Sequence, residues 1–326
     1  MVSGVAPSPP SVSVVIVTLT RPDYVRNCLQ HLAKQSRLPD EIIVVDSSPD
    51  DLTRQVVTDE FPLVKYLRNP LGPGTTAAAR HLGFREATGD IIAFIDDDAY
   101  AHEEWLEHLV APYRDPLVGG VGGRALNGVA GEEQTGVEEI GLMLPDGVLT
   151  GYFAADPGRI IEVDHFLGAN MSYRRAVIEE LGGVRDGYPG TCLREETDLA
   201  LRVKKAGWKL VFTPWACVDH VAGPYRKGRR FDFRYQYYAQ RNHIVLLTRI
   251  YGLRSSIFRR YLALALRDMA SETGRSARAV TRIDVHDPRS SARPVVGGVA
   301  RAGTSLVGLA SGLVAGQREL ARDGRT

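Results

Sequence analysis

The sequence predicts an α/β fold: a mostly parallel, Rossmann-like central sheet flanked by helices, with a helical extension at the C-terminus. Three observations predict it. Short β-branched runs alternate with amphipathic stretches through the first hundred residues. Polar residues (Thr18, Asp46 and Asp96) stand where those runs end, along what becomes one edge of a parallel sheet. Past residue 220 the composition turns from acidic to basic and the pattern becomes helical: residues 1–220 carry 20 basic and 32 acidic side chains, and the remainder 20 and 7. An acidic body with a basic tail implies different partners for the two parts.

In chain order, residues 1–10 are Pro/Ser-rich and read as a disordered leader, without the charged and apolar regions of a secretory signal. Val12 to Val17 predicts a buried strand, and Pro22-Asp23 opens a helix with Val25, Cys28, Leu29 and Leu32 at helical spacing. Glu41 to Asp46 is a second strand. A helix over about 50–61, a strand over 64–67 and an Ala-rich helix over 75–87 carrying Arg80 continue the alternation. Right-handed crossovers and a parallel sheet follow from this order. Ile91 to Ile95 is an apolar strand that empties into Asp96-Asp97-Asp98. Three adjacent carboxylates repel one another and resist burial unless a cation compensates them. Asp96 and Asp98, on one side of the chain, are therefore candidate ligands, while Asp97 is expected to face solvent. An isolated acidic triplet is also consistent with a solvated turn.

Farther on, Glu103 to Tyr113 predicts a helix and Val118 to Leu126 a Gly-interrupted strand. Residues 128–160 predict a functional loop, and Ile160 to Tyr173 one bent strand. A short helix over 174–181 precedes a second acidic cluster, Glu195-Glu196-Thr197-Asp198, which opens a helix to about 206. Acidic side chains in a first helical turn also simply suit the helix dipole. Lys209 to Phe212 is a last strand leading to Asp219-His220. The tail has a basic run (Arg226 to Arg230), an aromatic run from Phe231, helices over about 232–251 and 254–272, a polar linker over 273–294 and a final helix over 295–321. The expected domains are thus the leader 1–10, a catalytic domain 11–230 and a basic helical region 231–326.

Several classes lose ground. Neither Gly-x-x-x-x-Gly-Lys-[Ser/Thr] nor Gly-x-Gly-x-x-Gly after the first strand occurs. Cys28, Cys192 and Cys217 have no metal-ligand spacing and cannot all pair, which favours a reducing compartment. No window holds 18 uninterrupted apolar residues; Val295 to Ala315 comes nearest and is interrupted by Arg301.

The ordered series of motifs resembles the family-2 glycosyltransferases, which have the GT-A fold. It runs through Ser13 to Thr18 with Arg21-Pro22, Pro39 to Ser48, Ala78 to Gly83, Ala87 to Asp90, Phe94 to Asp98, Gly168 to Arg175, and Glu195 to Arg202 with Ala206 to Trp208. It spans about residues 11–245. The resemblance implies an inverting transferase moving a hexosyl or deoxyhexosyl group from a nucleotide-diphosphate sugar to an acceptor hydroxyl, in polysaccharide or cell-envelope synthesis. Thr18, Arg21, Asp46, Arg80 and Asp96 would bind the nucleotide. Asp98 would hold Mg²⁺ or Mn²⁺, with His220 completing the metal shell. Gly168 and Asn170 would lie near the donor or acceptor sugar, and Glu196 would be the base, with Glu195 and Asp198 as alternates.

The chain departs from the family pattern at Ser47, often acidic, at His81, often Asn, and at Glu196 itself, usually Asp. The residue types suit the chemistry independently. A leaving diphosphate calls for a hard cation on oxygen ligands, and an attacking hydroxyl calls for a carboxylate. A sugar nucleotidyltransferase would need a Gly-rich basic loop after the first strand, where Thr18 to Pro22 stands. An inactive sugar-nucleotide-binding module would lose an acidic cluster, and both are present. The acidic body argues against nucleic acid as a partner. The expected setting is cytoplasmic, with residues 226–326 either lying on the inner membrane face near a glycan, lipid-linked or small-molecule acceptor or packing as a lid.

Overall fold

The computed structural model describes residues 9–190, 192–221, 233–280 and 288–324. Residues 1–8 of the leader, the basic run at 226–230 and Phe231 lie outside them. The chain divides into two compact units, each treated separately. The first is formed by the described parts of Met1–Leu142, Thr150–Arg185 and Leu199–Pro224. The second is formed by those of Met143–Leu149, Asp186–Asp198 and Tyr225–Thr326.

The first unit holds the sheet. β1 (Val12–Thr18), β2 (Glu41–Asp46), β3 (Lys65–Arg68) and β4 (Ile91–Asp96) lie side by side in the order β3-β2-β1-β4, all parallel. α1 (Pro22–Leu32), α2 (Leu52–Glu60) and α3 (Thr76–Glu86) are the crossovers. Alternation along β1 sends Val12, Val14 and Ile16 to one layer, with Val25, Cys28, Leu29 and Leu32 of α1. Val15 and Val17 go to the other, with Ala77 and Phe84 of α3. Each fully buried aliphatic side chain contributes about 1.5–3 kcal/mol. α3 approaches so closely that a Cβ on Gly83 would stand 2.4 Å from Val15 Cγ1, which leaves room only for glycine.

The second half of the sheet is mixed. After β4 come β5 (Ala99–Ala101), α4 (Trp105–Val110), a 3₁₀ turn (Ala111–Arg114) and β6 (Val118–Leu126). They are followed by β7 (Ile161–Glu162), β8 (Asn170–Arg174), α5 (Arg175–Glu180), α6 (Glu195–Lys205) and β9 (Lys209–His220). β8 runs antiparallel to both β4 and β6, whereas β6 and β9 are parallel. Parallel order thus holds for β1 to β4, the strands joined by α1, α2 and α3. The stretch expected as one bent strand from Ile160 to Tyr173 is two short strands, β7 and β8, with irregular backbone between them. The last strand runs far past Phe212, to His220, because β6, β5 and β7 all pair with it.

The second unit contains α7 (Phe233–Tyr251), α8 (Ser256–Val280) and α9 (Pro288–Asp323). Ile244, Leu247, Phe258, Ala265 and Leu309 form its core. Gly308, Gly312 and Gly316 let α9 lie against α7: a Cβ on Gly312 would meet the Arg241 carbonyl at 2.7 Å. The expected polar linker over 273–294 is corrected at both ends, since α8 continues to Val280 and α9 starts at Pro288. Ala, Arg and Ser sustain a helix there without an apolar stripe. Among the described residues one helix, Val295–Asp323, is long and apolar enough to cross a membrane by length and composition.

Candidate active site

Parallel registry assembles the first part of the site. Thr18 stands opposite Asp46 at the ends of β1 and β2, and Val17 stands opposite Asp96 at the end of β4. Beyond Asp96 the chain turns through Asp97 and Asp98 into β5. β5 pairs antiparallel with the end of β9, setting Ala99 against His220, and Val221 donates its N–H to the Asp98 carbonyl at 3.0 Å. That pairing brings in His220 from far along the chain. Ligand atoms of Asp96, Asp98 and His220 all lie within 4.8 Å of one another. Two carboxylate oxygens and an imidazole nitrogen are a donor set suited to Mg²⁺ or Mn²⁺.

Each member is held in place. Arg80, buried on α3, donates to Asp96 Oδ1 at 2.8 Å and to the Gly168 carbonyl at 3.0 Å. Gly168 admits that guanidinium: a Cβ there would sit 2.8 Å from Arg80 Nη2. Arg21 donates to Asp98 Oδ2 at 2.9 Å and to Asp97 Oδ1 at 3.1 Å. Burial works against the Arg21 cation, but the charges of Asp97 and Asp98 outweigh it and raise its pKa. His220 Nε2 stands 3.3 Å from Asp98 Oδ1.

Asp97 does not face solvent. It is 4% exposed and accepts the Thr18 hydroxyl at 2.6 Å as well as Arg21. Burial pushes its carboxyl up to about 7, against the lowering effect of Thr18 and Arg21 and with further upward pressure from Asp98 and Asp96. The turn after β4 rotates the middle carboxylate inward, so Asp97 acts as the internal post on which Thr18 and Arg21 are set. Alternation at a strand end was the available signal, since the residue between two outward carboxylates must point elsewhere.

Two further residues are taken up by the fold. Asp46 is fully buried. It accepts the Ser48 N–H at 2.8 Å and the Ser48 hydroxyl on one oxygen, and the Tyr66 hydroxyl at 2.9 Å on the other. Burial, and then the Asp46 hydrogen bond, raise the Tyr66 pKa. Asn170, also fully buried, accepts the Trp105 indole N–H at 2.8 Å and donates to the Arg124 and Ala216 carbonyls, each at 2.8 Å. All three bonds are internal, so Asn170 ties α4, β6 and β9 to β8.

The second acidic cluster opens α6 and belongs to the second unit. Burial sorts its carboxylates. Glu195 is 2% exposed, and Asp198 is fully buried and accepts the Tyr188 hydroxyl at 2.7 Å. Burial and the Asp198 charge hold that phenol well above its ordinary pKa. Glu196 is half-buried, with the Arg194 N–H at 3.4 Å from its Oε1. Of the three, Glu196 is the carboxylate with access to solvent. Arg194, His243 and Tyr261 also cluster within this unit; they went unnoticed in the sequence because they are scattered along it.

The profile of glycosyl transferase family 2 matches residues 13–182, just over half of the chain. The chain belongs to that family. It is 30% identical over 183 residues to the pre-mycofactocin glycosyltransferase of Mycobacterium tuberculosis, an alignment covering 55% of this chain and 37% of that protein. Against the glucosyl-dolichyl phosphate glucuronosyltransferase of Haloferax volcanii it is 29% identical over 228 residues, covering 66% and 70%. The chain therefore spans little more than a third of the mycobacterial relative's length. A mannosyltransferase from Pyrobaculum calidifontis, solved with GDP-Man and Mn²⁺, superposes over 93% of this chain and 90% of its own with a TM-score of 0.55 and 18% identity. At that identity the likeness concerns the GT-A fold alone.

Proposed function

We propose that this family-2 chain transfers a sugar from a nucleotide-diphosphate sugar to an acceptor hydroxyl, with inversion at the anomeric carbon. The observation that carries the reading is the convergence of Asp96, Asp98 and His220 at the C-terminal ends of β4 and β9. Asp98 and His220, with Asp96 beside them, would hold a divalent cation, which when bound supplies positive charge to the leaving diphosphate. Arg80 and Gly168 orient Asp96, and Arg21 and Asp97 orient Asp98. Glu196 accepts the proton of the attacking hydroxyl; its exposure supports it over Glu195 and Asp198. One displacement with base and leaving group on opposite faces of the sugar inverts its configuration. The Mn²⁺-bound mannosyltransferase of the same fold and the sugar-transferring relatives agree with this reading.

Purified protein given Mn²⁺ and a panel of nucleotide sugars is expected to release nucleoside diphosphate from one donor class, and chelator should stop it. Release that ignores chelator would remove the metal from the mechanism. A product that retains the donor's anomeric configuration, read by NMR, would remove the single displacement.

We also propose that α9 lies on a membrane at its cytoplasmic face. Its outward side carries Val296, Val299, Leu306, Val307 and Val314, each at least half exposed, opposite the glycines that pack on α7. Exposed Arg259, Arg260, Arg267 and Arg278 on α8 supply the charge that anionic lipid attracts. Substituting Val299, Leu306 and Val307 together by Asp should abolish co-sedimentation with anionic vesicles. Equal sedimentation of the variant would end this reading.

A further inference from the structure

A cavity of about 480 Å³ lies within the second unit, and every residue lining it belongs to that unit. Arg194 reaches it from a backbone with φ +83°, a conformation that non-glycine residues seldom adopt and that persists only where the surroundings enforce it. Its Nε donates to His243 Nδ1 at 3.1 Å, and His243 Nε2 stands 2.8 Å from the Gly147 carbonyl. The ring is therefore a neutral imidazole that donates through Nε2 and accepts through Nδ1. Tyr261 packs on the same ring, with centroids 4.3 Å apart, and gives its hydroxyl to Gln240 Oε1 at 3.1 Å, which turns the Gln240 amide N–H₂ to other partners.

The charges on the lining do not cancel. Three guanidiniums, Arg194, Arg275 and Arg301, face two carboxylates, Asp268 and Glu272. Glu272 holds two of them: Arg301 Nη2 and Nε lie 2.6 and 2.8 Å from its Oε1, and Arg275 takes its Oε2. Arg194 forms no ion pair among the described residues; its one side-chain partner there is the neutral His243. A guanidinium that commits one N–H group among the described residues, fixed by a buried histidine, is a preorganised oxyanion donor. Leu264, Ala265 and Met269 give the cavity an apolar wall.

We propose that this cavity binds an amphiphile carrying a single oxyanion, phosphate or carboxylate, seated on Arg194 and Gln240 with its hydrocarbon part against Leu264, Ala265 and Met269. The site goes beyond the transfer reading and does not depend on it, because it is tested by binding in the absence of any donor. Calorimetry on the full chain would compare octyl phosphate, octanoate, octanol and inorganic phosphate. Octyl phosphate or octanoate should bind at least tenfold more tightly than octanol and than inorganic phosphate. Arg194→Gln should weaken that binding at least tenfold. Arg194→Asn, whose side chain tolerates positive φ and so protects folding, should do the same. Leu264→Asp should remove the advantage of octyl phosphate over inorganic phosphate, and Asp98→Ala, which acts at the other site, should leave octyl phosphate binding at its wild-type affinity. Equal binding by wild type and both Arg194 variants would overturn the proposal, as would inorganic phosphate binding as tightly as octyl phosphate.

Discussion

Asp98→Ala is expected to abolish nucleoside diphosphate release, by about a thousandfold or more if the cation contributes the several kcal/mol usual for charge stabilisation of a leaving group. Asp98 is where three constraints meet: Arg21 donates to one of its oxygens, His220 approaches the other, and Asp96 lies within reach of the same point. Removing it leaves Arg21 with Asp97 alone and takes away one of the two carboxylates that could face a cation. The loss should therefore fall on both metal affinity and turnover. The fold should survive, because Asp98 follows the end of β4 and no backbone pairing depends on its side chain. His220→Ala should produce a smaller loss in the same direction, since the two carboxylates remain. The check is steady-state release at saturating and limiting Mn²⁺, together with a melting curve that stays in place.

Glu196→Gln is expected to lower kcat by about 10²–10⁴-fold, the range for removing a general base, with little change in the KM of the donor. The amide keeps size and polarity but cannot take a proton. Its neighbours provide the contrast. Asp198→Asn weakens the acceptor of the buried Tyr188 hydroxyl, and a lost hydrogen bond to a charged group costs about 1.5–3 kcal/mol, so that variant should lose thermal stability. Glu195, 2% exposed, should behave as a structural residue too. If Glu196→Gln retained full turnover while Glu195→Gln did not, the base would have to be reassigned.

What the sequence revealed follows from which forces are local. β1, β2 and β4 are short β-branched runs with crossovers at helical spacing, so periodicity and loop length placed them and put Thr18, Asp46 and Asp96 on one edge. The reversal of β8 between β4 and β6 was not evident, because strand direction depends on pairings across tens of residues. The length of β9 was missed for the same reason. Charge pattern identified the acidic triplet but not its internal division. Asp97 turns inward because Thr18 and Arg21, nearly eighty residues earlier, are there to receive it. The amide of Asn170 is likewise explained by Trp105, Arg124 and Ala216, none of which is a sequence neighbour. Arg194 illustrates the limit best: nothing in Leu193-Arg194-Glu195 signals a positive φ or a histidine forty-nine residues later.

Asp96, Asp98 and His220 would form a divalent-cation site that serves a nucleoside diphosphate. Electron paramagnetic resonance of Mn²⁺ titrated into the protein, with and without nucleoside diphosphate, measures this most directly. One bound Mn²⁺ per chain is predicted, tightened by the diphosphate and lost in Asp98→Ala. Mn²⁺ binding of equal stoichiometry and affinity in wild type and Asp98→Ala would contradict it.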